Sequence, residues 1–515
     1  MKNPLLYLFM AAGIALSASS LYYCGSALEL ASSQIIGGLL FGYFAAYMLM
    51  QVYFVWYLYC RFEKSAEIKS PPDLTVDVFL TAFDEPAWIV KRAIQAARQI
   101  SYPHKTYLLD DSPEKNFEHL ADQLQVEYLT RNGNKDFKAG NLNAALGKTN
   151  GDFIAIFDID HVSQPDFLER TLGHFKDPQV GFVQAMQTYS NEDEGLIAQA
   201  AGQTSSEYFN ITACGKDAVG AMSHHGSNAV IRRSALKSIG GYQIGLAEDL
   251  ETSIRLHASG WKSAYVCEPL APGLAPANFS AFCKQQLKWS RGVFESALRS
   301  FFTGTFFRLT WHQRLAYTVR FSYYLVGVSV ALGLAVTIFN LFASSAEIYE
   351  GFMARMLPLA FVIMAIRCLM LRTCGTDPTA RKGVHYKGTS LVISIWPIYL
   401  LSAICTLFRI SVPFMSTPKE AGQDRLALWT VLPQLTMVAL LSAGLLYRAA
   451  HWDAAPAPLT AIAALLFLMQ HWILIVPVGQ VLKKKLKKTQ RRTFSRRQGQ
   501  AEATVQAPRK IGKAA

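Results

Sequence analysis

Charge is scarce in this sequence: Asp, Glu, Lys and Arg make up 17% of its 515 residues while 51% are hydrophobic, against roughly 25% charged in ordinary soluble proteins. That excludes a disordered or fibrous chain. Cysteine is also used sparingly, and the eight residues (Cys24, Cys60, Cys214, Cys267, Cys283, Cys368, Cys374, Cys405) never form a C-x-x-C pair, which excludes a zinc module or a disulfide framework. The formal charge of +13 suggests nucleic-acid binding at first. However, +11 of it lies in Lys483–Ala515, so no uniform basic surface exists and nucleic acid is excluded as a partner. The tail instead suits an anionic membrane leaflet, at about 1 kcal/mol per cation.

What the sequence has in abundance is apolar runs long enough to cross a ~30 Å hydrocarbon core. They fall near 4–24, 35–60, 317–343, 352–372, 389–410, 426–447 and 459–482, so the apolar start after Lys2 reads as one of a set and not as a secretory signal. Lys and Arg cluster at 61–69, 372–387 and 483–497 and are absent from 25–34 and 343–351. By the positive-inside bias the basic groups face the cytoplasm, together with both termini. Lys419 and Arg425 can share that side only if 389–410 does not cross. It is therefore expected to be an interface helix, leaving six crossings of a plasma (bacterial inner) membrane.

Between the second and third runs lies a polar block. VDVFLTA (76–82), TYLL, VEYLT, FIAIF and VGFVQ alternate with helical stretches, placed after Pro86, Ala139 and Pro165. Such alternation predicts a mostly parallel sheet with helices on both faces, whose ligands sit at the carboxyl ends of the strands. The expected division is two membrane helices in 1–70, a cytoplasmic α/β domain in 71–278, interface helices in 279–312, membrane helices and a loop in 313–388, the interface helix 389–411, a loop 412–425, membrane helices in 426–482 and a basic tail.

Acidic residues recur at those strand ends: Glu85 after the first, Asp110 and Asp111 after the second, Asp158 and Asp160 after the fourth, with Glu248 and Asp249 farther on. One such residue alone is commonly a helix cap; repetition after several strands is not. Asp158 and Asp160 bracket one residue, so both carboxylates can approach one hard divalent cation that also holds a diphosphate. In KAGNLNAAL, Lys138 offers a cation, and Gly140 is expected to let phosphate approach the start of a helix. In QQLKW, Gln285, Lys288 and Trp289 join amide, cation and ring, a combination suited to a sugar. The same stretch also reads as an amphipathic interface helix.

TAFDEP, LLDDS, KAGNLNAAL, FDIDH, GSNAVIRRSAL, AEDLETS, QQLKW and FMSTPK, in this order over Val76 to Lys419, resemble the membrane-embedded family-2 inverting glycosyltransferases typified by bacterial cellulose synthase. The resemblance implies a GT-A type fold inserted in a transmembrane helical bundle. Thr81, Glu85, Asp110, Asp111, Lys138, Asp158, Gln285 and Lys288 would then bind a nucleotide-sugar. Asp158 and Asp160 would hold Mg2+ or Mn2+, and of the Glu248–Asp249 pair Asp249 would be the general base. Trp289, His161, His225 and Gly226 would face the acceptor, and Phe414, Thr417 and Lys419 would belong to a gating loop. The implied activity is processive synthesis and translocation of a β-glucan, of cellulose-like, (1,3) or mixed linkage, from UDP-glucose. The partners would be that donor, the growing polysaccharide, membrane lipids and an export partner beyond the membrane.

The sequence departs from the family pattern at several places. Ala247 replaces Thr before the acidic pair, Lys288 replaces Arg, Ser416 replaces Val, and Ser223, His224 and His225 replace F-F-C before Gly226. Lys in place of Arg loses a bidentate fork. The two histidines, adjacent on an extended segment, should face opposite ways, which points to an altered acceptor pocket and not to a second metal site. Arg492 to Arg496 fits the R-x-x-x-R opening of a cyclic-di-GMP module, but the 19 residues after it are too few for that β-barrel, so no fused regulator is expected. Competing readings are a single-transfer enzyme making a glycolipid, a synthase using UDP-N-acetylglucosamine or GDP-mannose, and a transporter. The last is disfavoured because the runs are nearly free of charge, Arg367 being the main exception.

Overall fold

The computed structural model describes residues 4–29, 42–44, 46–62, 68–111, 117–343, 346–374, 385–410, 428–451 and 456–479. The polar block folds around a seven-stranded sheet of order β3-β2-β1-β4-β6-β5-β7. The strands are β1 (Val76–Ala82), β2 (Lys105–Asp110), β3 (Glu127–Thr130), β4 (Phe153–Asp158), β5 (Val180–Ala185), β6 (Ala229–Arg232) and β7 (Lys262–Val266). β1, β2, β3 and β4 pair in parallel, as do β5 and β7. Helices cover both faces, so the central strands are apolar throughout rather than alternating: β4 and β5 are buried almost end to end.

One strand runs the other way. β6 pairs antiparallel with both β4 and β5, making the sheet mixed; it is four residues long and carries no distinctive pattern in the sequence. Its direction matters for the site. An antiparallel strand enters the sheet where its parallel neighbours end, so Ser223–Asn228, just before β6, arrives at the carboxyl ends of β4 and β5.

The helix expected after Ala139 spans Phe137–Leu146 instead, which places Gly140 inside its first turn. A Cβ on Gly140 would lie 2.1 Å from the Lys135 carbonyl and 2.5 Å from Arg131 Nη1. Gly140 thus admits protein backbone and the Arg131 side chain at close range.

Beyond the sheet, four helices among the described residues are long and apolar enough to cross a membrane: Pro4–Tyr23, Trp311–Phe342, Glu347–Cys374 and Pro458–Gly479. Their outer faces expose large apolar side chains such as Leu8, Phe339, Phe361 and Ile475, as lipid-facing helices do. Residues 386–407 form two helices, Tyr386–Ser394 and Trp396–Leu407, bent by 46°. They pack on the Leu196–Glu207 and Phe279–Phe302 helices of the sheet-bearing block, where Tyr399 donates to Gln286 Oε1 at 2.9 Å.

The spans hold more charge than Arg367. Arg320 lies in the Trp311–Phe342 span, Arg355 covers the Tyr23 ring at 3.9 Å, and Glu350 accepts from the amides of Leu459 and Thr460 at 2.9 and 2.6 Å, capping the next helix. Arg367 itself pairs with Glu207 of the catalytic block. The gating-loop residues Phe414, Thr417 and Lys419 and the basic tail lie outside the described residues.

Candidate active site

Parallel pairing brings three strand ends level: Thr81 lies opposite Asp158, and Ala82 opposite Asp110. Thr81 Oγ1 donates to Asp158 Oδ1 at 3.3 Å. Lys138 Nζ bridges the Asp158 carboxylate and the Gly226 carbonyl, the latter at 2.8 Å. Burial pushes the Asp158 carboxyl up, but Lys138 and His161 outweigh it and hold it below its ordinary value.

Asp158, Asp160 and His161 present ligand atoms that all lie within 4.8 Å of one another. His161 Nδ1 is buried without a hydrogen-bond partner, 3.5 Å from Asp160 Oδ1. Two carboxylates with an orphaned imidazole nitrogen fit a divalent cation. Gly273 lies against the His161 ring, whose Nε2 is 2.6 Å from where a Cβ at 273 would stand.

Asp249 stands in the first turn of the Glu248–Ala258 helix, its Oδ1 accepting from the Leu250 amide at 2.7 Å. Burial and the neighbouring Glu248 push its carboxyl up to about 7. Gly226, at φ +81°, turns the bare side of its Cα to both Asp249 Oδ2 and Lys138 Nζ, 3.5 and 3.6 Å from a Cβ built there. A side chain would fill the space between the Asp249 carboxylate and the Lys138 ammonium and would strain the backbone.

Other predicted residues are structurally occupied. Asp110 is buried and accepts from Tyr128 Oη at 3.0 Å. Asp111 forms a two-pronged pair with Arg131, both contacts 2.7 Å, and Arg131 also donates to the carbonyls of Lys135 and Phe137. Glu85 accepts from the Phe83 amide at 2.8 Å, closing its own turn. These three shape the rim beside β1 and β2.

Gln285, Lys288 and Trp289 share one face of the Phe279–Phe302 helix by their spacing, and Trp289 is 37% exposed. One turn on, Gly292 meets Ala247, 2.8 Å from the position of an added Cβ. The small pair lets this helix lie directly against the one that carries Asp249.

The two histidines do face opposite ways. His224 is fully buried between Gln184 Oε1 and Tyr242 Oη, at 3.0 and 2.7 Å, and burial lowers it to about 3, so it is a neutral structural link. His225 Nε2 meets Tyr208 Oη at 2.9 Å. Sequence reasoning missed Gln184, Ser227 and Asn228, which hold the 223–228 segment, as well as Tyr208 and Lys216. Only the short AVIR run could have signalled the reversed strand that gathers them.

The "Glycosyltransferase like family 2" model matches residues 71–292, the span that contains every residue of the site just described. The "Cellulose synthase" model matches 237–377. Together the two models mark residues 71–377 as a cellulose-synthase-like family-2 glycosyltransferase region. The chain is 29% identical over 391 residues to cellulose synthase 1 of Komagataeibacter xylinus, covering 73% of this chain and 24% of that one. It is 34% identical over 232 residues to the UDP-forming cellulose synthase catalytic subunit of Xanthomonas axonopodis pv. citri, covering 43% and 32%. The chain thus spans about a quarter to a third of these relatives' lengths. Among solved structures, a mannosyltransferase from Pyrobaculum calidifontis in complex with GDP-Man and Mn2+ aligns with a TM-score of 0.47 at 13% identity, covering 73% of this chain and 99% of that one.

Proposed function

We propose that this chain is a processive inverting glycosyltransferase that polymerises a β-glucan from UDP-glucose on the cytoplasmic side and passes it through its own membrane helices. The observation that carries the reading is Asp249, a carboxylate raised to about 7 beside Gly226 and within the field of Lys138, opposite the Asp158–Asp160–His161 set. A carboxylate poised near working pH is suited to take the proton of an acceptor hydroxyl. Attack on an α-linked donor from that side inverts the anomeric carbon.

Lys138 would neutralise the donor diphosphate, with Thr81 orienting Asp158. Mg2+ or Mn2+, held by Asp158, Asp160 and His161, would supply Lewis-acid stabilisation of the departing nucleotide. Trp289 would stack on the acceptor sugar. The bent 386–407 helices, packed on the catalytic block, support an interface element rather than a crossing, and with it cytoplasmic termini.

Purified protein in bilayers, given UDP-glucose and Mg2+ or Mn2+, should yield a polymer that linkage-specific β-glucanases digest. Formation of only mono- or diglycosyl lipid would overturn processivity. Turnover with UDP-N-acetylglucosamine or GDP-mannose alone would overturn the donor.

A further inference from the structure

One corner of the molecule, away from the site above, combines exposed rings, an unpaired cation and a small cavity. The Phe279–Phe302 helix ends at Gly304, whose φ of +71° turns the chain sharply. The Thr305–Arg308 turn that follows leads straight into the Trp311–Phe342 span. Phe302, Phe307 and Trp311 are 82%, 61% and 60% exposed, an apolar rim of the kind that marks a contact surface. Phe307 is held there by Phe301 and Phe306, its ring centroid 6.2 and 5.8 Å from theirs.

The span sets the height of this rim in a bilayer. Its 32 residues make about 48 Å of helix, more than the ~40–45 Å of a bilayer with its headgroups, so the Trp311 end reaches the headgroup layer. The residues gathered there are those that favour this level. The Tyr57 ring lies 6.4 Å from that of Trp311, His312 Nε2 meets Tyr57 Oη at 2.9 Å, and Arg61 covers Tyr57 at 5.6 Å.

Beside the rim, an open cavity of about 110 Å³ is lined by Ile239, Arg255, Ala258, Ser259, Thr305 and Arg308. It offers two guanidiniums and two hydroxyls. Arg255 has Glu251 at 3.4 Å, whereas Arg308 forms no ion pair among the described residues. Like charges across one cavity repel until an anion lies between them, and guanidinium donors match phosphoryl oxygens. Pockets that enclose a whole small ligand start near ~300 Å³, so this one has room for a phosphoryl group and not for a nucleotide-sugar. The remainder of the ligand must lie outside, against the rings. A headgroup phosphate with acyl chains meets both demands, as in other basic pockets at this depth.

We propose that the Arg255–Arg308 cavity binds the phosphate of an anionic membrane lipid, whose acyl chains cover Phe302, Phe307 and Trp311. Arg255 stands in the last turn of the Glu248–Ala258 helix, which carries Asp249 in its first, so the lipid ties that helix to the bilayer. The site is independent of the transfer reaction.

The test uses the full-length protein, exchanged into neutral detergent and titrated with dioctanoyl phosphatidylglycerol or net-neutral dioctanoyl phosphatidylcholine, with the first bound lipid followed by native mass spectrometry. Phosphatidylglycerol should bind about tenfold tighter, as one charge-assisted contact provides. Arg308→Gln, at an exposed position that folding does not depend on, should remove most of that preference, and Arg308→Lys should keep most of it. Both variants retain the basic tail, so the tail cannot produce the change. Phe307→Ser should weaken the two lipids by similar factors. Equal binding of the two lipids, or a preference unchanged in Arg308→Gln, overturns the site. Displacement of phosphatidylglycerol by an equal concentration of inorganic phosphate overturns the lipid as its ligand.

Discussion

At the amino-terminal edge of the sheet, Asp77 in β1 and Arg233 after β6 form a buried pair at 2.7 Å. Asp77 also accepts from the Gly151 amide at 2.7 Å, and Arg233 donates to Leu146 O and Thr149 Oγ1, both at 2.9 Å. Both side chains are thus answered by the protein itself. At the carboxyl-terminal edge titratable groups are left partly answered: Asp249 is raised to about 7, and His161 Nδ1 has no hydrogen-bond partner among the described residues. Closed networks hold a fold in one state, whereas perturbed groups gathered in a cleft are what catalysis requires. The comparison teaches that partners, and not residue type, set a charged group's state: Asp77 and Asp111 are closed by arginines, whereas Asp249 is raised by burial and Glu248.

Breaking each edge should give a different kind of failure. Asp249→Asn should lower the transfer rate by about 10²- to 10⁴-fold, measured as polymer from labelled UDP-glucose, while nucleotide binding by calorimetry persists; a loss of less than tenfold would remove Asp249 from the base role. Arg233→Met, at the other edge, leaves Asp77 buried and uncompensated. It should cost about 3 to 5 kcal/mol, seen as a lower Tm, with the specific activity of the folded fraction retained.

Between these lies Tyr242→Phe, which strips His224 Nε2 of its partner and should cost about 1 to 3 kcal/mol by denaturant titration. Because His224 only positions the segment holding Gly226, KM for the acceptor should rise more than kcat falls.

The mildest perturbation is one unit of pH. To serve as the proposed base Asp249 must be ionised, and its carboxyl is raised to about 7 by burial and Glu248, so kcat/KM should drop about tenfold per unit below that value. The stability sign is opposite. Unfolded, the group titrates near ~4, so its contribution to folding is intact below that pH and is lost as pH rises through about 7. Wild type and Asp249→Asn should therefore melt alike at pH ~4, and the variant should melt higher at pH ~8.

Much of this was legible without coordinates. The apolar runs and βα alternation announced a membrane protein with a parallel sheet, since length and periodicity are local properties. The acids at the strand ends were found for the same reason, Asp158 and Asp160 being two residues apart. What spacing does not reveal is a distant partner: Arg131 holds Asp111, and Lys135 and Arg131 lie against Gly140. Arg320 was hidden because it falls at the polar end of an apolar run.

The sequence by itself determined which segments are apolar, where the strands end in acids, and that the excess charge sits in the last 33 residues. Tertiary structure alone decided which acids remain reactive. The reason is the direction of one four-residue strand: because β6 runs antiparallel, it delivers His225 and Gly226 to the edge where β1, β2 and β4 end, and places Arg233 at the opposite one.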